Sequence, residues 1–327
     1  MKFISIVFAA MLGVVGLPAK AQTYTLVLAG ASPGGLWSLL GTGIDRAVKA
    51  SYPGSVVTYQ TSGGGFANIN LLDTGKAPLG LAHDAELKIG LAGDKPFNHP
   101  IKSIRAIAYM YDWGPMQLIM SKSFADQHGI KTFEDIAKKK APVRVALNRR
   151  GNIAEAVAMR MFAAIGVTPE EIEKWGGKVI FAASREQGDL YKDGRVDLLF
   201  NSLFVRHGSL LQATQSVDSV MLPVSDAVIA KVGEEMGVKK FVIPAKSYDF
   251  QPDPMPTTTL GAILVTTESL DEKTAYDLAK ALNKNIDKIQ GVHKSMKALT
   301  PELMASVKVI PYHPGAARFY KEAGLMK

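Results

Sequence analysis

Three glycine-bearing segments of the sequence combine residue types that could bind an anion. Each follows a short apolar run and precedes an amphipathic stretch, so each is predicted to join the carboxyl end of a strand to the amino end of a helix. Unpaired backbone N–H groups and the helix dipole favour negative charge at such a junction, and glycine lets an anion come close to the main chain. The segments are Gly30-Ala31-Ser32-Pro33-Gly34-Gly35, Ser62-Gly63-Gly64-Gly65 and Asn148-Arg149-Arg150-Gly151-Asn152. If they converge they form one anion pocket; the plainer alternative is that their glycines only make tight turns.

Side chains beside these segments supply candidate ligand contacts. Either Arg149 or Arg150 could hold a carboxylate through its planar guanidinium, and only one is expected to do so because adjacent residues point to different sides. His83 ends a predicted strand and could donate to the same anion, or could simply bond to backbone, while Asp84 is expected to cap the next helix. The predicted ligand contacts are Ser32, Gly34, Gly35, Trp37, Ser62, Gly63, Gly64, His83, Arg149, Arg150, Gly151, Asn152 and Asn201.

The sequence does not match the known motifs for binding nucleotides or metals. A phosphate-binding P-loop that ends at Gly75-Lys76 would need glycine at Asn70 and serine or threonine at Ala77. The run Gly41-Thr42-Gly43 has Arg46 where a dinucleotide fingerprint needs its third glycine. The six histidines show no zinc-ligand spacing, and the chain has no cysteine. The sequence therefore predicts no cofactor and no metal.

Composition and the amino terminus indicate an exported globular protein. The chain has 327 residues, 47% hydrophobic and 21% charged, which is enough for one large or two medium domains. Lys2, the apolar stretch Phe3–Leu17 and the small residues around Lys20 have the order of a cleavable secretory signal over residues 1–21, with a retained anchor as the alternative. The expected location is the periplasm. The net charge of +8 comes from basic runs without interleaved aromatics, so no nucleic-acid partner is predicted.

The elements that must position the candidate residues alternate in type. Apolar runs and amphipathic stretches follow one another, a pattern typical of an α/β protein in which helices join parallel strands. Strands are predicted at Tyr24–Ala29, Val56–Gln60, Leu79–Ala82, Arg105–Tyr111, Val143–Leu147, Lys178–Ala182 and Val196–Phe200. Helices are predicted at Leu36–Ala50, Phe66–Thr74, Ile153–Ile165, Ser184–Asp193 and Asp271–Gln290, and from Thr168 through a capping box. The alternating prolines of Gln251–Pro256 predict a loop.

Two further apolar strands, Met116–Ser121 and Thr259–Thr266, are predicted to be hinge segments. The chain would leave a first domain at one and return to it at the other. The first lobe then comprises residues 22–114 and 264–327, and the second lobe comprises residues 115–263, with the ligand cleft between them. Tyr109, Tyr111 and Trp113 lie near this boundary and could line the cleft or belong to the core.

Several of these motifs, taken in order, resemble the TAXI family, the extracytoplasmic solute receptors of TRAP-type transporters. The matching stretches are Gly30-Ala31-Ser32-Pro33-Gly34-Gly35-Leu36-Trp37, Ser62-Gly63-Gly64, Asn68-Ile69-Asn70-Leu71-Leu72-Asp73-Thr74-Gly75, Leu79-Gly80-Leu81-Ala82-His83-Asp84, Ile104-Arg105-Ala106-Ile107-Ala108-Tyr109-Met110-Tyr111, Ile243-Pro244-Ala245-Lys246-Ser247-Tyr248 and Ala281-Leu282. The resemblance implies a two-lobed periplasmic binding protein of type II-like architecture. Its mixed, mostly parallel sheets would be flanked by helices and joined by two hinge strands. It also implies a monomer that binds a small carboxylate and delivers it to membrane permease subunits.

Several positions depart from the family pattern and indicate a different ligand. Leu36 and Trp37 replace threonine and tyrosine, Gly65 replaces serine, His83 replaces glutamine, and Asn148–Ile153 replaces a Gly-Ser-Gly-Thr type loop. Neutral donors are lost, charge-assisted donors are gained, and an indole adds a flat apolar wall. We therefore hypothesise a larger or more apolar organic anion, either aromatic or branched.

Other functions are consistent with much of the same sequence pattern. A receptor for an ABC transporter or for a sensor kinase would have the same fold with another downstream partner. An exported hydrolase or lyase using His83 and Asp84 as an acid–base pair is the weaker alternative. The prediction is a binding protein without enzymatic activity.

Overall fold

The computed structural model describes residues 22–31 and 35–327. The predicted signal at residues 1–21, together with Ser32 and Gly34 of the predicted site, lies outside this part of the chain. Its strands are β1 (Thr25–Ala29), β2 (Val56–Gln60), β3 (Leu79–His83), β4 (Ile104–Ser121), β5 (Arg144–Leu147), β6 (Lys178–Phe181), β7 (Leu198–Ser202), β8 (Ser219–Met221), β9 (Lys239–Ile243) and β10 (Met255–Thr267).

Helices follow most strands, as the alternating pattern predicts. They are α1 (Leu36–Ser51), α2 (Gly65–Asp73), α3 (Asp84–Ala92), α4 (Lys122–His128), α5 (Asp135–Lys138), α6 (Ile153–Ala164), α7 (Pro169–Lys174), α8 (Ser184–Lys192), α9 (Gly208–Thr214), α10 (Asp226–Met236), α11 (Glu272–Lys284), α12 (Ile286–Gln290), α13 (Pro301–Met304), α14 (Pro314–Glu322) and a 3-10 helix at Lys294–Ala298. Over the described ranges, none of the helices has the length and apolar character needed to cross a membrane.

The strands form two sheets that share β4. The first sheet has the order β2-β1-β3-β10-β4, and the second continues from β4 through β7 and β5 to β6. The pairs of β1 with β2 and β3, and of β5 with β6 and β7, are parallel. Every antiparallel pair involves β4 or β10. The predicted α/β class, with mixed sheets flanked by helices, is confirmed.

The strand β4 is longer than predicted and belongs to both sheets. Its first part, to Pro115, pairs with β10, and its second part, from Met116, pairs with β7 and β8. The predicted strands Arg105–Tyr111 and Met116–Ser121 are therefore one continuous strand. Because no helix or turn separates them, the chain passes between the sheets in extended conformation.

Two predicted elements are wrong in their bounds. The helix predicted over Asp271–Gln290 is interrupted at Asn285, whose side-chain amide donates to the carbonyl oxygen of Ala47 and the hydroxyl of Ser51 on α1. The loop predicted over Gln251–Pro256 ends earlier, because Met255 and Pro256 already pair with β9. A proline is tolerated there because it contributes its carbonyl oxygen, which accepts from the backbone N–H of Val224.

Each sheet has its own hydrophobic core. Helices α1, α11 and α14 pack on the first sheet around Leu28, Ile44 and Leu282. Helices α6 and α10 pack on the second sheet around Val157 and Phe200. This arrangement fits the predicted lobes of residues 22–114 with 264–327 and of residues 115–263, which remain a prediction.

Candidate ligand-binding site

A cavity of about 1120 Å³ lies where the two sheets meet. Its walls come from the chain that follows β1, β3 and β7 and from the amino ends of α1, α6, α8 and α9. Carboxyl ends of parallel strands and amino ends of helices gather at the same edge of an α/β sheet, which is where such folds bind ligands. We refer to this space as the main cavity.

A recess of about 260 Å³ adjoins the main cavity and shares Ala31, Trp37, His83 and Asn152 with it. All three glycine-bearing segments meet around these two spaces. Of the predicted contacts, those that line the main cavity are Gly35, Trp37, His83 and Asn152. The recess adds Ser62, Gly63, Gly64 and Gly151.

Glycines of the first segment and of helix α1 have packing roles. A Cβ atom at Gly30 would lie 2.1 Å from the Tyr59 ring, and one at Gly41 would lie 2.5 Å from it. The Tyr59 hydroxyl accepts from the backbone N–H of Ala31 at 2.6 Å and donates to its carbonyl oxygen at 3.0 Å. Tyr59 thus fixes the chain at the end of β1, and these two glycines make room for its ring.

The hydroxyl of Ser62 is already used within the protein. It lies 2.6 Å from the carbonyl oxygen of Gly30 and 2.5 Å from Oδ1 of Asn68, and it accepts from the backbone N–H of Gly64 at 3.1 Å. The buried Asn68 amide also donates to Gly30 and Leu81. Ser62 therefore joins the first two segments and contributes backbone, more than its hydroxyl, to the recess.

A carboxylate of the protein itself occupies the side of the recess next to α2. Glu86 is buried and accepts from the backbone N–H of His83 at 2.8 Å and from its Nδ1 at 3.0 Å. A Cβ atom at Gly65 would lie 1.7 Å from Oε2 of Glu86. Gly65 is therefore required by Glu86, and an incoming anion would meet this charge beside the second segment.

Asp84 does not cap α3 and does not face the main cavity. The helix begins after His83, while the buried Asp84 carboxylate accepts from the Tyr109 hydroxyl at 2.8 Å and from the backbone N–H of Gly261 at 3.2 Å. Burial raises the pKa of Asp84 to about 6 despite these donors. The expected His83–Asp84 acid–base pair is therefore wrong, because His83 pairs with Glu86 instead.

The arginine in the main cavity is not one of the predicted pair. Arg149, Arg150 and Arg185 are all exposed, but Arg149 and Arg150 line neither the main cavity nor the recess, and the Arg150 guanidinium lies 4.0 Å from the centre of the Phe181 ring. Arg185, in the first turn of α8, lines the main cavity. Asn201 lies behind this wall, where its amide donates to the Ser184 hydroxyl at 2.9 Å. It supports the wall without lining it.

Five rings in succession form one side of the main cavity, here called the aromatic wall. They are His83, Trp37, Tyr111, Phe204 and His293. The ring centres of His83 and Trp37 are 4.8 Å apart, the Trp37 indole N–H donates to the Tyr111 hydroxyl at 3.1 Å, and the Tyr111 and Phe204 rings meet edge to face at 5.3 Å. Phe204 and His293 are stacked at 6.3 Å. Trp37 and His83 were predicted ligand contacts, and Tyr111 was left open between cleft and core, whereas Phe204 and His293 were not predicted.

Two histidines from distant parts of the chain add donors to the main cavity. Nδ1 of His207 accepts from the backbone N–H of Ser209, and Nδ1 of His293 accepts from that of Ser295. Each neutral ring therefore carries its proton on Nε2. Burial and then the charge of His293 lower the pKa of His207. Among the described residues that line the main cavity, Arg185 is the one arginine or lysine, and there is no carboxylate.

Metal binding finds no support in the described ranges, which hold no group of three histidine, aspartate or glutamate side chains arranged for an ion. The N–H donors of the main cavity are joined by the hydroxyls of Ser184 and Tyr111, while the Ser202 hydroxyl donates to the carbonyl oxygen of Gly114. Donors of this kind, without acidic partners, suit an anion.

The fold is that of periplasmic solute-binding proteins. It is similar to the periplasmic binding protein BugD (TM-score 0.52, 14% identity, covering 93% of this chain and 98% of that one). It is also similar to MatC from Rhodopseudomonas palustris, solved with bound malate (0.52, 16%, 85% and 90%), and to a TctC solute-binding protein from Polaromonas (0.54, 14%, 84% and 88%).

The chain belongs to the NMT1-like family, whose sequence model matches residues 28–324. That match includes all three glycine-bearing segments and every residue of the aromatic wall. The narrower assignment to the TAXI receptors is part of the proposal below.

Proposed function

We propose that this protein is an extracytoplasmic solute receptor that captures a small organic anion, a carboxylate, in the main cavity. The two lobes would close around the ligand by bending at β4 and β10, and ligand contacts would stabilise the closed state more than the open one. The loaded receptor would then deliver the ligand to the membrane subunits of a TRAP-type transporter, as the TAXI resemblance implies. The signal-like residues 1–21 support a periplasmic location.

One observation carries the anion assignment. The amino ends of α1, α6 and α8 border a cavity that is lined by the Arg185 guanidinium and by histidine N–H donors, without a carboxylate among its described lining residues. Helix dipoles and N–H donors favour negative charge, and an arginine fork suits a carboxylate. Ligand contacts are proposed for Gly35, Trp37, His83, Asn152 and Arg185, with backbone of the recess beside them.

Replacement of Arg185 by glutamine is expected to weaken carboxylate binding about 10- to 100-fold, because a hydrogen bond to a charged partner contributes about 1.5–3 kcal/mol. Isothermal titration calorimetry with a panel of organic acids that includes malate measures this loss. Arg150→Gln, which removes an exposed arginine outside the cavity, is the matched control and should leave affinity unchanged. Preference for an amine or a neutral sugar over every acid of the panel would rule out the proposed function.

The downstream partner requires a separate experiment. Receptors of ABC transporters and of sensor kinases use the same fold, so the fold alone does not distinguish them. Cross-linking of the loaded protein to its native membranes, followed by mass spectrometry, identifies the partner. Capture of TRAP-type permease subunits supports the proposal, and capture of an ATPase-linked permease or a kinase supports the alternatives.

A hydrolase is the second candidate function. Gly30, Ser32 and Gly34 have the spacing Gly-x-Ser-x-Gly after a strand, which in hydrolases presents a nucleophile. The His83–Glu86 pair lines the recess. Ser32 and Gly34 lie outside the described residues. Turnover of p-nitrophenyl acetate that is lost in Ser32→Ala would favour this function. Unchanged background hydrolysis in the variant would favour the receptor.

A further inference from the structure

The size and lining of the main cavity bear on the chemical class of its ligand. A volume of about 1120 Å³ slightly exceeds the range of about 300–1,000 Å³ that is typical of pockets for drug-sized molecules. A short aliphatic acid would leave most of this space to water. The aromatic wall, by contrast, contributes five rings to the cavity lining, with Trp37 packed beside His83 and Phe204 stacked on His293.

Phe204 stands on a loop that a buried polar network holds in place. The Gln117 amide donates to the carbonyl oxygens of Leu203 at 2.7 Å and Phe204 at 3.3 Å. Its oxygen accepts from the Tyr248 hydroxyl at 2.6 Å, and that hydroxyl accepts from the backbone N–H of Arg206 at 2.8 Å. Gln117 and Tyr248 are both buried.

The backbone of this loop is strained, so the hydrogen bonds that hold the loop must offset a cost in free energy. Arg206 has a φ of 62°, a value that a side chain other than glycine adopts only at a cost. The guanidinium of Arg206 donates to the carbonyl oxygen of Ser247, which adds a second tether. The loop is therefore built to hold Phe204 in one position against Tyr111 and His293.

The polar atoms of the aromatic wall also point to a ring-bearing ligand. The indole N–H of Trp37 already donates to the Tyr111 hydroxyl, so the indole needs no polar partner from a ligand. A branched aliphatic group would gain only buried area there. A flat unsaturated ring gains, in addition, the attraction between ring edges and ring faces.

We propose that the ligand is an aromatic carboxylate whose ring packs on Trp37 and Phe204 and whose acid group is held by Arg185. This inference rests on the proposed function and chooses between the aromatic and the branched anion. Phe204 is the specificity-determining residue, and Gln117 and Tyr248 are positioning residues that act through it.

Calorimetric titration at pH 7.5 with phenylacetate and cyclohexylacetate tests the proposal, since the two acids share their charge and chain and differ in ring unsaturation. The wild-type protein is expected to bind phenylacetate about 3- to 10-fold more tightly. Phe204→Leu should bring this ratio close to one while cyclohexylacetate still binds. Phe241→Leu, on β9 outside the main cavity, is the control and should keep the wild-type ratio.

The Tyr248→Phe variant distinguishes a role of Tyr248 in positioning Phe204 from a general effect on the stability of the protein. It removes the hydroxyl that bonds to Gln117 and Arg206, so the ratio between the two acids should fall part of the way. Simple destabilisation would lower affinity for both acids equally and leave the ratio unchanged, which would remove Tyr248 from the proposal.

The remaining outcomes are distinguishable. Equal affinity for the two ring acids in the wild-type protein, or binding of malate without either of them, overturns the aromatic assignment and leaves the proposed receptor standing. Failure of every organic acid to bind overturns both.

Discussion

Replacement of Gly65 by alanine is expected to lower the free energy of unfolding by about 2–4 kcal/mol, because the new methyl group would collide with the Glu86 carboxylate. Glu86 is buried and bonded to the backbone and ring of His83, so it has no low-cost position to which it can retreat. Chemical denaturation at pH 7 measures the loss. The His83 ring would shift with its partner, so ligand affinity should fall as well.

Two variants make the cause of this loss specific. Gly208 is the first residue of α9, as Gly65 is of α2, but a methyl group there would meet open space, so Gly208→Ala should change stability by less than about 0.5 kcal/mol. Glu86→Ala should relieve the collision, and the double variant should be less destabilised than the sum of the single variants. Strict additivity would show that Glu86 is not the obstacle.

Replacement of Asp84 by asparagine is expected to remove a pH dependence of about 3 kcal/mol from the unfolding free energy. Burial raises the pKa of Asp84 from 3.8 to about 6, so the folded protein retains a proton that the unfolded chain has already lost. The stability contributed by this group is present below pH 4 and declines as the pH rises to about 6. The difference between wild type and Asp84→Asn should therefore fall by about 3 kcal/mol between pH 4 and pH 7.

Urea denaturation of both proteins at half-unit pH steps measures this difference. Tyr109→Phe removes a hydroxyl that stabilises the charged carboxylate, so in that background the decline should extend to higher pH. A difference that is flat from pH 4 to pH 7 would show that ionised Asp84 is accommodated without cost.

The sequence was informative where local chemistry decides the structure. Val56–Gln60 has the predicted bounds, and the capping box of Thr168 and Glu171 forms as predicted, because both depend on neighbouring residues. The first two glycine-bearing segments meet because they follow β1 and β2, parallel strands whose carboxyl ends share one edge of the first sheet. The third segment follows β5 of the second sheet, so its approach also depends on how β4 and β10 join the two sheets.

The missing parts of the site depend on contacts between distant residues. Phe204 and His293 meet only after the two sheets have folded, and neither lies in a recognisable motif. Arg185 had a usable signal, since Ser184-Arg185 opens a helix after a strand, as the glycine-bearing segments do, but without glycine. Gly65 was interpreted from the sequence as the loss of a serine hydroxyl. Glycine is required there because the side chain of Glu86, which is distant in the sequence, occupies the space that a Cβ atom would need.

Strands β4 and β10 connect the two sheets, and this connection bends more easily in one direction than in another. Side by side and antiparallel, they form a ribbon that is wide in its own plane and one strand thick across it. A ribbon of these proportions bends easily across its thin direction and resists bending in its own plane. Their pairing ends at Pro115 and Thr259, so curvature can be taken up there without breaking the ladder of either sheet. In the proposed closure, the two lobes would turn about this joint along one preferred direction.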